Sequence, residues 1–132
     1  MSPARTLVAA AIAACVLAAG CGSDEPSSAP ADCTRVENGA VTLVARNLQW
    51  NTECLRVPAG TKVTFTVRLE DEGVKHDLEV FGNGVDRVKT PLEAGPATQT
   101  LEVTFPEPGT SSYVCTIHAQ MEGDIFVEQP AR

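Results

Sequence analysis

Three side chains with metal-ligand chemistry stand close together towards the C-terminal end of the chain. They are Cys115, His118 and Met121, in Tyr113-Val114-Cys115-Thr116-Ile117-His118-Ala119-Gln120-Met121-Glu122-Gly123, with two residues between each and the next. A thiol, an imidazole and a thioether make a soft donor set, which favours copper over hard cations. Two imidazoles and a thiolate in a trigonal arrangement, with a long axial thioether, mark copper that passes single electrons. Such an arrangement needs a second imidazole, and the sequence holds one other histidine, His76, in Val74-Lys75-His76-Asp77-Leu78. Met121 is the single methionine besides Met1. Taken singly, His76 reads as a strand-edge histidine, Met121 as a core residue and Cys115 as a buried thiol. The spacing of the last two with His118, together with the upstream His76, is what points to a metal. Zinc is the rival, because thiolate and imidazole suit it as well; the thioether speaks for copper. A binuclear copper centre needs a second cysteine nearby, and a multicopper oxidase or nitrite reductase needs further histidines, which this sequence lacks. No nucleophile–base pair is visible, so the chain reads as a binding or carrier protein and not as an enzyme.

Donors this far apart in sequence need a rigid frame to bring them together. Val41, Leu43 and Ala45 alternate with Thr42, Val44 and Arg46, the pattern of a strand, and Pro58-Ala59-Gly60 is a turn. Beyond it Val63, Phe65, Val67 and Leu69 alternate with Lys62, Thr64, Thr66 and Arg68, which describes a strand with one buried face. Glu70-Asp71-Glu72-Gly73 reads as a solvated acidic loop, after which His76 opens a short strand running through Val80. Gly82-Asn83-Gly84 is a turn, and residues 85–97 are too weakly periodic to assign. Leu101, Val103 and Phe105 alternate with Thr100, Glu102 and Thr104 up to the stop at Pro106-Glu107-Pro108-Gly109. Ser111 to Ile117 leads into the ligand loop, and Gly123 to Glu128 is the last strand. About seven short strands punctuated by turn residues predict an all-β sandwich or barrel over residues 33–132, without helix or internal repeat.

The whole sequence has 132 residues, enough for one domain with a modest core. Residues 1–20 read as an export signal: Arg5 supplies the positive start, and the apolar run Leu7 to Ala19 spans 13 residues. That is short of the ~20 a membrane-spanning helix needs. The run ends in Leu17-Ala18-Ala19-Gly20-Cys21, which resembles the lipobox of bacterial lipoproteins and makes Cys21 the acylation candidate, although Ala18 stands where a larger aliphatic is usual. Ile12-Ala13-Ala14-Cys15 is a rival lipobox, and cleavage without lipidation is the plainer alternative. Each of these readings places the domain outside the cytoplasm, lipid-anchored to the cell membrane or secreted. Residues 21–32 have the composition of a flexible linker. The whole chain carries a net charge of −7; without residues 1–20, nine basic residues face seventeen acidic ones, a net charge of −8. That balance argues against nucleic-acid binding and suits a partner with a positive docking surface. Of the five cysteines, Cys15 lies in the signal segment and Cys21 at its end, which leaves Cys33 and Cys54 as a pair and Cys115 free for a metal. A Cys33–Cys54 bridge would stabilise the start of the fold by ~3 kcal/mol in the chain-entropy estimate. The alternative pairs Cys115 with Cys33 or Cys54 and strands His118 and Met121 without their thiol.

With Tyr113-x-Cys115-Thr116-x-His118-x2-Met121-x-Gly123, and with Val57-Pro58-Ala59-Gly60-Thr61-Lys62-Val63 ahead of the first histidine, the last hundred or so residues resemble the cupredoxin family of small type 1 blue copper proteins. The two-residue interval between His118 and Met121 is similar to an amicyanin-like ligand loop, shorter than that of plastocyanin or azurin. The resemblance implies a Greek-key β-sandwich holding one copper ion. It makes His76, Cys115 and His118 the equatorial ligands and Met121 the weak axial one. It also implies one-electron exchange with a redox protein partner, in the family through the exposed edge of the C-terminal-loop histidine, here His118 between Ile117 and Ala119. The expected species is a monomer. The competing function is a copper-delivery lipoprotein without a redox role; a closed site with a single methionine speaks for the carrier. Two positions depart from the family pattern: Asp77 replaces the asparagine that usually follows the first histidine, and Ile117 stands where proline is common.

Overall fold

The computed structural model describes residues 29–130. The signal segment 1–20, the cysteines Cys15 and Cys21, and most of the 21–32 linker lie outside the described residues. The strands are β1 (Thr34–Arg35), β2 (Ala40–Arg46), β3 (Gln49–Trp50), β4 (Cys54–Pro58), β5 (Thr61–Leu69), β6 (Lys75–His76), β7 (Glu79–Gly82), β8 (Val85–Lys89), β9 (Glu93–Ala94), β10 (Ala97–Phe105), β11 (Gly109–Cys115) and β12 (His118–Glu128). No helix occurs among the described residues.

The period-two run of β5 buries Val63, Phe65, Val67 and Leu69 completely or nearly so. It is one of two inner strands, with β2, of a four-stranded layer ordered β10-β5-β2-β3. Val103 of β10 lies antiparallel opposite Val63, and Leu43 of β2 lies parallel opposite Val67. The second layer has six strands in the order β1-β4-β12-β11-β7-β8. Its inward residues, Leu55, Val57, Val80, Tyr113, Ile125 and Val127, meet those of β5 and β2 in one apolar core. Burying such side chains contributes about 1.5–3 kcal/mol each, and two sheets packed face to face make the sandwich. Tyr113 is fully buried, donates its hydroxyl hydrogen bond to the Thr52 carbonyl, and meets Trp50 edge-on at 6.3 Å between ring centres.

Three local assignments differ from the pattern read along the chain. His76 to Val80 is two strands, because the chain leaves one sheet at His76 and enters another at Glu79: β6 pairs with β9, whereas β7 pairs with β11 and β8. Residues 85–97 contain β8 and β9, whose exposed faces hide the periodicity. The last strand begins at His118 and not at Gly123. Among the described residues the strands number twelve, against the seven or so read from turn signals, because four of them are two-residue pairings too short to show a period. A disulfide joins Cys33 to Cys54, and Cys115 is a buried free thiol.

Candidate metal centre

Cys115 is the last residue of β11, and a two-residue turn, Thr116–Ile117, returns the chain to β12 with His118 directly opposite Cys115. The next pair in register is Val114 with Glu122, so Ala119, Gln120 and Met121 have no partners on β11. This bulge allows the run to twist: Ala119 and Gln120 are exposed, while Met121 turns inward to 1% exposure. His76 arrives from the other side at the end of β6 and is completely buried.

The three donors converge. Nδ1 of His76 lies 3.8 Å from the Cys115 Sγ, and Nδ1 of His118 lies 3.4 Å from it. One donor atom from each of His76, Cys115 and His118 falls within 4.8 Å of the others. Met121 belongs to the same buried cluster as Cys115. The far nitrogen of His76, Nε2, is 2.9 Å from Asp71 Oδ2. Two imidazole nitrogens turned towards a thiol, with no carboxylate among them, fit a soft metal and suit copper.

Two aspartates hold this arrangement. Asp77 is buried next to His76; its Oδ1 accepts the Thr116 N–H at 2.7 Å and its Oδ2 accepts the Thr116 hydroxyl at 2.6 Å, tying together the two segments that carry His76 and Cys115. Asp71 accepts the N–H groups of Asn47 at 2.6 Å and Leu48 at 3.0 Å. Burial pushes the Asp71 carboxyl up, but the N–H groups of Leu48 and Asn47 and the neighbouring His76 outweigh it and hold the group below the usual carboxylate range. The acidic run is therefore not a solvated loop: Asp71 backs a donor residue, and Glu70 pairs with Arg46 and Arg68. Sequence reasoning missed Asp71, and it missed Thr90, whose hydroxyl accepts the Leu78 N–H at 2.9 Å while its own N–H binds the Leu78 carbonyl, pinning the chain just after His76 and Asp77. Neither residue has a signal in its spacing. Burial, foremost, raises the Cys115 thiol above its ordinary value, Asp77's charge adds to this, and the N–H groups of Asp77 and Ile117 offset it in part.

Residues 37–128 match the family described as copper binding proteins of the plastocyanin/azurin family. The chain belongs to this family. It is 32% identical over 132 residues to amicyanin of Paracoccus denitrificans, covering 93% of this chain and 97% of that protein. It is 34% identical over 123 residues to amicyanin-alpha of Methylorubrum extorquens, covering 92% of each. Among solved structures, a substituted, reduced amicyanin superposes with a TM-score of 0.52 at 32% identity, covering 70% of this chain and 86% of that one. Auracyanin A of Chloroflexus aurantiacus, a "blue" copper protein, superposes at 0.60 over 71% of this chain and 99% of that one; at 19% identity this is a likeness of fold. As a member of this cupredoxin family, the chain is a copper-binding electron carrier whose cofactor is one type 1 copper ion.

Proposed function

We propose that this chain is an extracytoplasmic one-electron carrier whose copper is held by Nδ1 of His76, Sγ of Cys115, Nδ1 of His118 and the thioether of Met121. The observation that carries the proposal is the convergence of both Nδ1 atoms on the Cys115 sulfur, with all three donors within 4.8 Å. Bound there, copper supplies the Cu(II)/Cu(I) couple. The chain's own part is to present the donors before the metal arrives. Cys115 gives up its thiol proton, and the two histidines bind through unprotonated Nδ1. The packed ends of β6 and β11 hold His76 and Cys115 in one geometry for both oxidation states, which keeps rearrangement small. His118 is only half-buried, and its neighbour Ile117 is 51% exposed. That edge is the one through which we place electron exchange with a redox protein partner. The buried donor set counts against copper delivery, where the metal has to leave. Export and acylation at Cys21 would tether the domain to the membrane face; mass spectrometry of the mature N-terminus, as a lipid-modified Cys21 or as an unmodified residue, decides between anchored and secreted forms.

The test of the copper assignment is visible absorption and EPR of the chain loaded with Cu(II). An intense blue charge-transfer band with narrow copper hyperfine splitting, lost in Cys115→Ser, is the expected result. A weak band with ordinary copper EPR would remove Cys115 from the ligand set, and the electron-carrier role with it.

A further inference from the structure

The imidazole of His76 is completely buried, so both of its nitrogens answer to protein groups. Nδ1 faces the Cys115 sulfur at 3.8 Å and Nε2 faces Asp71 Oδ2 at 2.9 Å. A neutral imidazole carries one proton, and only the nitrogen without it can take a metal. What Asp71 offers to Nε2 therefore decides what Nδ1 offers to the site.

Asp71 is placed by contacts that do not involve His76. Its Oδ1 accepts the Asn47 N–H and its Oδ2 accepts the Leu48 N–H. Asn47 and Leu48 form the two-residue turn between β2 and β3, and both have left-handed backbones, with φ of 54° and 57°. A leucine adopts that region rarely, and such a conformation persists where its surroundings over-determine it. Here two successive amides of the turn close on one carboxylate. From the other side Gly95 lies against the Asp71 backbone, where any side chain at 95 would collide with the Asp71 carbonyl. Both carboxylate oxygens thus already accept N–H bonds and have only acceptor capacity left for Nε2. An acceptor on that side favours the ring proton on Nε2, which leaves the Nδ1 lone pair for the thiol.

We propose that Asp71, cradled by the Asn47–Leu48 turn, is the positioning residue that sets the tautomer and orientation of His76, so that a bare Nδ1 faces Cys115 before any metal is present. The inference rests on the ligand assignment above for its use of the metal, but the tautomer itself can be read without copper.

The experiment is long-range 1H–15N NMR of the imidazoles in the metal-free chain at one alkaline pH, followed by Cu(II) affinity measured against a competing chelator. In the wild-type chain His76 is expected to carry its proton on Nε2. Asp71→Asn keeps the shape but presents an NH2 either to the turn amides or to Nε2. It is expected to admit the Nδ1-protonated tautomer and to weaken Cu(II) binding about 10–100-fold, the usual loss when the partner of a ligating histidine is changed. Asp71→Glu, which keeps two acceptor oxygens on a longer stem, should restore the Nε2-protonated form and part of the affinity. Glu70→Gln removes the same charge one residue away and should change neither reading. A wild-type His76 protonated on Nδ1 overturns the proposal without any variant, and so does an Asp71→Asn chain with the wild-type tautomer and affinity. A chain that shows the Nε2-protonated form but binds no copper supports the positioning role while sinking the copper assignment.

Discussion

Asp77 occupies the position where members of the family usually carry asparagine, and its surroundings show how the exchange is accommodated. Thr116 supplies two donors, an N–H and a hydroxyl, and a carboxylate accepts both. An asparagine could keep the tie, its oxygen taking the N–H while its NH2 donates to a hydroxyl that has turned to accept. Asp77→Asn therefore removes a charge with little change in structure. The lost negative charge no longer favours Cu(II), so the reduction potential should rise by on the order of 100 mV, the scale of one charge a few ångström away at an effective dielectric of about 20. Voltammetry of the two forms checks this; an unchanged or lower potential would remove Asp77's charge from the account of the site. Ile117, in the place of the usual proline, keeps an N–H that partly offsets the desolvation of the Cys115 sulfur.

The hairpin of β11 and β12 delivers three of the four proposed donors, and its geometry depends on one close approach. Gly123 lies opposite Tyr113 in register, and a Cβ at Gly123 would run into the Tyr113 ring. The ring cannot withdraw easily, because it is buried, bonded through its hydroxyl to Thr52 and packed edge-on to Trp50. Gly123→Ala should overpack this contact and destabilise the fold by about 1–3 kcal/mol, measured by urea unfolding. The register of the hairpin would also be disturbed two residues from Met121, so a weakened copper band should accompany the loss. A variant as stable as the wild type would show that the tyrosine has room to move.

Two properties belong to the molecule as a whole. The first is its response to pH. Burial in the sandwich raises the Cys115 thiol above its ordinary value, so the metal-free protein holds the proton through neutral pH. Because the folded value is the higher one, the associated stability is complete below the ordinary thiol range and is lost as pH rises through the folded value. Alkaline titration of the metal-free chain should therefore lower its melting temperature, and Cys115→Ala should remove that part of the loss. Copper displaces the same proton, so on account of Cys115 the copper affinity should rise about tenfold per pH unit across the neutral range, as chelator competition at several pH values would show. The second property is charge. With a net charge of −8 once residues 1–20 are excluded, association with a positively charged redox partner should slow steeply as ionic strength rises. A rate indifferent to salt would place the contact on the apolar edge at His118 and Ile117 alone.

Residue types and short spacings were enough to single out the Cys115, His118 and Met121 group, to add His76, and to outline β2, β5 and β10, because donor softness and period-two burial are properties of neighbouring residues. Ser111 to Ile117 led correctly into the turn at Thr116–Ile117 for the same reason. The roles of Asp71 and Thr90 were not legible, since an acidic loop residue and a lone threonine acquire their functions only when the β2–β3 turn closes on Asp71 and the segment beyond β8 closes on Leu78. Nor was the break between His76 and Glu79, because a strand that changes sheets keeps the same alternation in its letters. The kind of metal chemistry follows from which atoms the chain carries and how closely they are spaced. The nitrogen His76 presents, and the carboxylate that accepts from its other nitrogen, follow from pairings between segments far apart in sequence, and those exist only once the sheets have closed on one core.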